Sequence, residues 1–351
     1  MKVAVIGCGR MGAFTTDKTK KSIPSIWNPL SHIDAINMIN GLELVAICDV
    51  LESQLEKVLA ICPSVKTYTD YNKMLMEVKV DIVGIATRTE DRFKIISACA
   101  KAGVKAIHAE KPLARSLREN EIALDALRSH KVGFTFGAVR RYMAPYQLAK
   151  KIAYSGEIGS IRQVVIEHGS DMLLWGHSHT IDLAMYICDG ARVDRVQGRL
   201  RISPQDVKKN VVNSDPVLDM AYLEFNNGIS TIITAGSGFC LRIYGETGSV
   251  TVIGDGSKVE LRKKKKNSPY ELNCQDIEFN SSISGTQQAY INLMKYVQSG
   301  KKTGLSLSEV KRVHQTLFAL ALSELNNGEA INPNNVPYDF IITGRFGNLY
   351  A

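Results

Sequence analysis

Met1-Lys2-Val3-Ala4-Val5-Ile6-Gly7-Cys8-Gly9-Arg10-Met11-Gly12 opens the chain, and this stretch decides the fold. Val3–Ile6 is a short apolar run of the kind that makes a strand covered on both faces. A G-x-G-x-x-G pattern follows it without a gap. Between a strand and a helix each glycine has its own task. Gly7 permits the tight turn, Gly9 lets the backbone approach a pyrophosphate, and Gly12 lets the helix pack closely on the strand with its N-terminus aimed at the phosphates. Glycine turns are common, so the pattern alone is weak, and its position directly behind the strand is what makes it specific. A carboxylate is then expected at the end of the second strand. Asp49 follows Leu44-Val45-Ala46-Ile47-Cys48, where it would accept both adenosine ribose hydroxyls and repel a 2′-phosphate. That favours NAD, with NADP possible because Arg10 would offset the repulsion.

The interval from Gly12 to Asp49 is 49 − 12 = 37 residues, against about 20 in the simple fingerprint. The surplus falls on residues 15–29, rich in Lys, Ser, Thr and Pro and carrying Trp27. It reads as a loop after a truncated first helical turn, with helix resuming near His32. Its role is open between a lid, a subunit contact and a passive insert.

Further along, apolar runs at Val65–Tyr68, Ile82–Ala86, Val104–His108 and Val132–Phe136 alternate with helix-like segments at Tyr71–Val78, Glu90–Ala102 and Ser116–Ser129. That alternation predicts βαβ units and a parallel sheet. The pattern changes after a helix near Pro145–Tyr154. Strand-like runs at Ile161–His168, Val193–Ile202, Val217–Phe225, Ile229–Ala235, Cys240–Tyr244, Val250–Ile253 and Val259–Arg262 are joined by hairpin signals such as Asn226-Asn227-Gly228 and Gly254-Asp255-Gly256. Helices are expected again at Gln287–Ser299 and Ser306–Leu325. The fold class is therefore an α/β Rossmann domain with a parallel doubly wound sheet at 1–137. A C-terminal α+β domain at 138–351, with a large and mostly antiparallel open sheet, would bind substrate and form oligomers.

Composition narrows the function. The chain is 45% apolar and 22% charged, the balance of a globular protein. No run approaches the roughly 18 apolar residues of a membrane span. The first residues enter a strand with no charged leader, so a cytoplasmic location is expected. The seven cysteines are scattered and form no C-x-x-C pair, which points to buried small hydrophobes rather than a disulfide framework or a metal site. The net charge of +8 equals two basic clusters, three charges at Lys18, Lys20 and Lys21 and five at Arg262–Lys266, both read as solvated surface turns. Without interleaved aromatics they do not form a nucleic-acid surface.

His108-Ala109-Glu110-Lys111-Pro112-Leu113 follows the fifth strand, at the carboxyl edge where open α/β sheets place ligands. Here the chain resembles the Gfo/Idh/MocA oxidoreductases, and Ile85-Ala86-Thr87, Glu110-Lys111-Pro112 and Arg140-Arg141-Tyr142 to Pro145 stand in that family's order. The resemblance implies that Arg10, Met11, Thr87, Glu110 and Lys111 join the three glycines and Asp49 around the cofactor. Lys111 would hydrogen-bond the reacting hydroxyl. His179 and Asp182 match the family's H-x-x-D motif, and three residues apart they share one helical face. His179 would be the general base, near neutrality in its ordinary pKa, and Asp182 would orient it or bind substrate. The substrate pocket would lie between the domains.

The chain also departs from the family. Trp175 and His177 replace the frequent Asp and Gly, Arg88 a proline, Arg92 a histidine, and Ala138 an asparagine. Arg88, Arg141, Trp175 and His177 are substrate-site candidates, and His177 rivals His179 as base. The implied activity is reversible oxidation of a secondary alcohol on a sugar, nucleotide sugar or cyclitol, by a homodimer or homotetramer. An NAD-using glycosidase and a non-catalytic NAD-binding regulator are the alternatives.

Overall fold

The computed structural model describes residues 1–280 and 282–344. They form two compact units: Met1–Val139 with Ile283–Lys311, and Arg140–Ser282 with Arg312–Gly344.

In the first unit the chain runs β1 (Lys2–Ile6), α1 (Asp17–Ser22), α2 (His32–Asn37), β2 (Glu43–Cys48), α3 (Glu52–Leu59), β3 (Lys66–Tyr68), α4 (Tyr71–Glu77), β4 (Ile82–Ile85), α5 (Thr89–Lys101), β5 (Ala106–Ala109), α6 (Leu117–Ser129) and β6 (Gly133–Phe136). The strand order is β3-β2-β1-β4-β5-β6, all parallel. Order reverses beside β1, and that switch point is where a doubly wound sheet opens a ligand crevice. β4, β5 and the edge strand β6 are buried along their whole length, as expected for a sheet covered on both sides.

The helix after β1 is split. Ala13 N donates to Gly9 O to close a single turn, and the chain then leaves for the insertion. It returns at α2, where His32 N donates to Met11 O (2.8 Å) and Ile33 N to Gly12 O (3.0 Å). The expected truncated turn and the resumption at His32 are both present. The insertion itself is not plain loop: it holds α1 and a 3-10 turn at Ser25–Trp27, with Trp27 buried. Lys18, Lys20 and Lys21 thus lie on a short exposed helix, capped by Thr16, not on a turn.

The second unit contains α7 (Ala144–Ala153), β7 (Ile161–His168), β8 (Asp171–Met172), α8 (His177–Ile187), β9 (Val193–Arg201), β10 (Val207–Lys208), β11 (Val211–Val212), β12 (Val217–Phe225), β13 (Ser230–Thr234), β14 (Phe239–Gly245), β15 (Gly248–Ile253), β16 (Lys258–Lys265) and β17 (Ser268–Ile277). Its large sheet runs β17-β16-β15-β14-β7-β13-β12, with β8 and β9 both pairing β12. All pairs are antiparallel except β13 with β7. Both hairpin signals fall in turns with left-handed backbone, at Gly228 and at Gly254–Gly256. Lys263, Lys264 and Lys265 sit in β16, paired to β17 on an exposed edge hairpin. The basic run is therefore strand and not loop.

Two helices follow, α9 (Gly285–Ser299) and α10 (Leu307–Leu325), and then β18 (Ile341–Ile342), which pairs β11. A single boundary near residue 137 does not describe this arrangement, because α9 packs on β5 and β6 and belongs to the first unit. Its Tyr290 and Leu293 are fully buried in that unit's core with Val3, Val5, Ile33 and Ile36. At its N-terminus Ser284 and Gln287 form a capping box, and Ser284 Oγ and Thr286 Oγ1 donate to the carbonyls of Pro29 and Leu30 at the end of the insertion.

Candidate active site

Backbone bonds bring the strand ends of the first unit side by side. Gly7 N donates to Cys48 O, Ala86 N to Ile6 O and Glu110 N to Ile85 O, at 2.8–2.9 Å. Gly7, Asp49, Thr87 and Glu110-Lys111 thus share one edge of the sheet. Gly7 has φ +94°, and a Cβ there would stand 2.6 Å from the Ala86 carbonyl carbon. A Cβ on Gly12 would overlap the Gly7 carbonyl oxygen, whereas one on Gly9 would meet nothing within 4 Å. The first and third glycines are thus fixed by packing, and the second leaves open backbone of the kind a pyrophosphate needs. Asp49 Oδ2 accepts from Cys8 N (2.7 Å) and Oδ1 from Leu51 N (2.9 Å). These bonds hold the carboxylate against the glycine turn, where a ribose diol would meet it. Arg10 and Met11 are half-buried in the same turn, and Arg88 is exposed at the start of α5.

Arg92 is buried, its guanidinium donating to the carbonyls of Thr87 and Pro112. It ties the turn after β4 to the Lys111 segment.

Glu110 and Lys111 are themselves buried, at 6% and 8% exposure. Glu110 Oε2 accepts from Lys111 N (3.3 Å), and Oε1 lies 3.4 Å from His32 Nε2. Burial alone would raise the Glu110 carboxyl. The hydrogen bond from His32, with the Lys111 ammonium, outweighs it and holds the pKa at about 2. Since Glu110 is a carboxylate, His32 Nε2 must carry the proton that it donates. His32 Nδ1 lies 2.9 Å from Tyr290 Oη, and His108 Nδ1 2.9 Å from Thr135 Oγ1. The polar atoms of His32, His108 and Glu110 lie within 4.8 Å of one another.

In the second unit the H-x-x-D residues open α8. His177 is buried at 1% exposure, with Nδ1 3.1 Å from Thr180 Oγ1 and its ring 5.2 Å from that of His168. Burial, with the nearby His168, pushes its pKa down to about 3 despite Asp171. His179, one residue beyond Ser178, is only half-buried. The backbone amides of Leu174 and Trp175 donate to Asp215 (2.7 and 3.0 Å), fixing the loop that carries half-buried Trp175. Asp182 and Arg141 meet in a buried pair: Arg141 Nε donates to Oδ2 (2.8 Å) and Nη2 to Oδ1 (2.9 Å), each side chain 1% exposed. Arg141 is thus held by Asp182 at the start of α8.

Sequence reasoning missed His32, His108 and Tyr290. His108 is two residues from Glu110 in the chain, whereas only the fold brings His32 and Tyr290 to it, although His32 stands where the split helix resumes.

Residues 1–138 match the family described as Oxidoreductase family, NAD-binding Rossmann fold. A scyllo-inositol 2-dehydrogenase (NAD(+)) of Bacillus subtilis is 27% identical over 248 residues, 67% of each chain. An inositol 2-dehydrogenase of Salmonella typhimurium is 30% identical over 172 residues, 48% of this chain and 45% of that one. The crystal structure of an oxidoreductase from Agrobacterium radiobacter with NAD+, L-tartaric acid and magnesium shares the fold. It has a TM-score of 0.75 at 19% identity, covering 95% of this chain and 98% of that one. With a six-stranded parallel sheet opening on Gly7, Gly9 and Gly12, residues 1–138 thus carry the NAD-binding Rossmann fold of the Gfo/Idh/MocA oxidoreductases.

Proposed function

We propose that this protein is an NAD-dependent dehydrogenase that oxidises a secondary ring alcohol of a cyclitol or related sugar. The observation that carries this reading is the sheet edge itself, which gathers the open backbone at Gly9, the Asp49 carboxylate and Lys111. The relatives named for inositol support the substrate class. NAD, when bound, supplies the hydride acceptor.

The chain's own residues supply the rest. Asp49 would hold the adenosine ribose hydroxyls, and the open backbone at Gly9 would accommodate the pyrophosphate. Lys111 donates a hydrogen bond to the reacting hydroxyl oxygen and stabilises negative charge developing there. His179 takes the hydroxyl proton, its partial exposure leaving the imidazole reachable, whereas His177 is a buried neutral ring. Asp182 neutralises Arg141 and so holds the helix that presents His179. The half-buried face of the large sheet is proposed to join copies into a homodimer or homotetramer, which light scattering measures directly.

The test is a panel of inositols, sugars and nucleotide sugars, assayed for NADH absorbance with NAD+ and NADP+. A ring polyol that yields stoichiometric NADH supports the reading. Glycosidic cleavage without NADH accumulation, or NAD binding with no turnover across the panel, would replace it.

A further inference from the structure

His32 and Tyr290 lie behind Lys111, fully buried, and the chemistry above does not use them. They come from distant segments, α2 beyond the insertion and α9 near the end of the first unit, and converge on Glu110 at the end of β5. The convergence is built into the backbone. A Cβ on Gly84 in β4 would stand 2.7 Å from His32 Nδ1 and would overlap Tyr290 Oη. One on Gly137 would stand 2.8 Å from Glu110 Oε2. Two glycines thus leave the space that these polar side chains fill.

We propose that Tyr290 and His32 form a buried relay that holds Glu110 as a carboxylate, so that His32 is a positioning residue for Lys111. The proposal rests on the reading of Lys111 as donor to the reacting hydroxyl. The chain of contacts is continuous: Tyr290 Oη to His32 Nδ1 at 2.9 Å, His32 Nε2 to Glu110 Oε1 at 3.4 Å, and Lys111 N to Glu110 Oε2 at 3.3 Å. An isolated buried carboxyl gives up its charge and takes a proton. A protonated Glu110 is a poorer acceptor for the Lys111 amide, and the peptide bearing the ammonium loses its anchor. Misplacement of a reacting group by about 1 Å costs on the order of 10²-fold in rate.

Several groups face Glu110: His32 from α2, His108 from its own strand, Lys111 beside it, Arg92 from α5 and Tyr290 from α9. Tyr290 stays a phenol, its pKa raised far above the ordinary value by burial and the Glu110 charge. His108 is held neutral by burial, which lowers its pKa to about 3. Of the two histidines, His32 is thus the one whose hydrogen bond keeps Glu110 ionised.

The sign follows. With His32 present, Glu110 remains charged throughout an assay range above pH 5. Without it, burial dominates and lifts the carboxyl toward neutrality, so activity falls as pH falls. His32→Leu is expected to lower kcat about 10- to 100-fold at pH 6 and to recover most of it by pH 9, with the NAD+ dissociation constant within threefold of wild type. His32→Gln, which keeps a donor for Glu110 and an acceptor for Tyr290, should rescue the acid limb. Tyr290→Phe should shift that limb less and guards against a Leu variant that does not fold. Infrared difference spectra supply a readout independent of substrate. A protonated-carboxyl band should appear in His32→Leu at pH 6, vanish at pH 9, and be absent from wild type at both.

If folded His32→Leu and Tyr290→Phe keep the wild-type pH profile and show no carboxyl band, the relay is overturned. Stoichiometric zinc in the protein as purified, lost in His32→Leu, would overturn it too. Lys111→Ala separates the two readings. An inactive Lys111→Ala beside an unperturbed His32→Leu defeats only the relay, and an active Lys111→Ala defeats the role of Lys111.

Discussion

Arg141 and Asp182 form a two-pronged ion pair, with bonds of 2.8 and 2.9 Å and with each side chain 1% exposed. The pair joins the segment before α7 to the first helical turns of α8, three residues after the proposed base, His179. Such a pair is a poor source of net stability but an expensive one to break, because a lone charge stays behind in a dry site.

Asp182→Ala should therefore cost about 3–5 kcal/mol of unfolding free energy, read from urea titrations. The paired change Arg141→Met with Asp182→Leu should regain most of that loss. If Asp182 instead serves only the chemistry, the double variant will be stable and Asp182→Ala will be equally stable. That pattern would refute the structural role.

Cofactor choice turns on Asp49, whose carboxylate already accepts from Cys8 N in the glycine turn. NADH should bind more tightly than NADPH, and Asp49→Ser should narrow the gap. Fluorescence titration checks this. A wild-type preference for NADPH of tenfold, about 1.4 kcal/mol, is incompatible with it.

The two histidines of α8 should separate cleanly. His179→Ala is expected to lower kcat about 10²–10⁴-fold, the usual contribution of a placed general base, with NAD+ affinity preserved. His177→Ala removes a buried ring packed against His168, so its main effect should be on thermal midpoint. Loss of turnover in His177→Ala beside a near-normal His179→Ala would exchange their roles.

Acid should destabilise the fold in a defined window. His108 and His177 both have pKa values pushed down by burial to about 3, against about 6.5 in the unfolded chain. As pH falls below about 6.5 the unfolded state binds protons that the folded state refuses, so stability declines progressively toward pH 3. Glu110, held at about 2, adds a further loss between about pH 4.3 and 2. Urea midpoints at pH 7, 5.5 and 4.5 measure the slope, and His108→Gln should flatten it. A midpoint that does not change over this range contradicts the buried neutral state of both rings.

Much of this was legible in the sequence because the signals were local. The three glycines, the strand behind them, the resumption at His32 and the turns at Gly228 and Gly254–Gly256 all declare themselves within a few residues. β17 did not, since Ser268–Ile277 is an edge strand with most described side chains exposed and carries no apolar alternation. The lysines of β16 read as a turn for the same reason. Tertiary partners were invisible: Arg141 and Asp182 are 41 residues apart and His32 and Tyr290 are 258 apart. Nothing in the local pattern of either pair announces the other.

The return of α9 to the first unit bears on how portable the nucleotide fold is. A fragment ending at residue 139 would contain every strand of the parallel sheet and every glycine of its turn. It would still lack Tyr290 and Leu293, which fill the core beside Ile33 and Ile36, and the hydroxyls that fasten Pro29 and Leu30. The stump would expose an apolar groove over β5 and β6 and leave His32 without its phenol. This half of the protein is therefore not a cassette that can be excised at its apparent border. Its folding waits on a segment far downstream of its last strand, and a transplant that preserves it must carry residues 283–311 along.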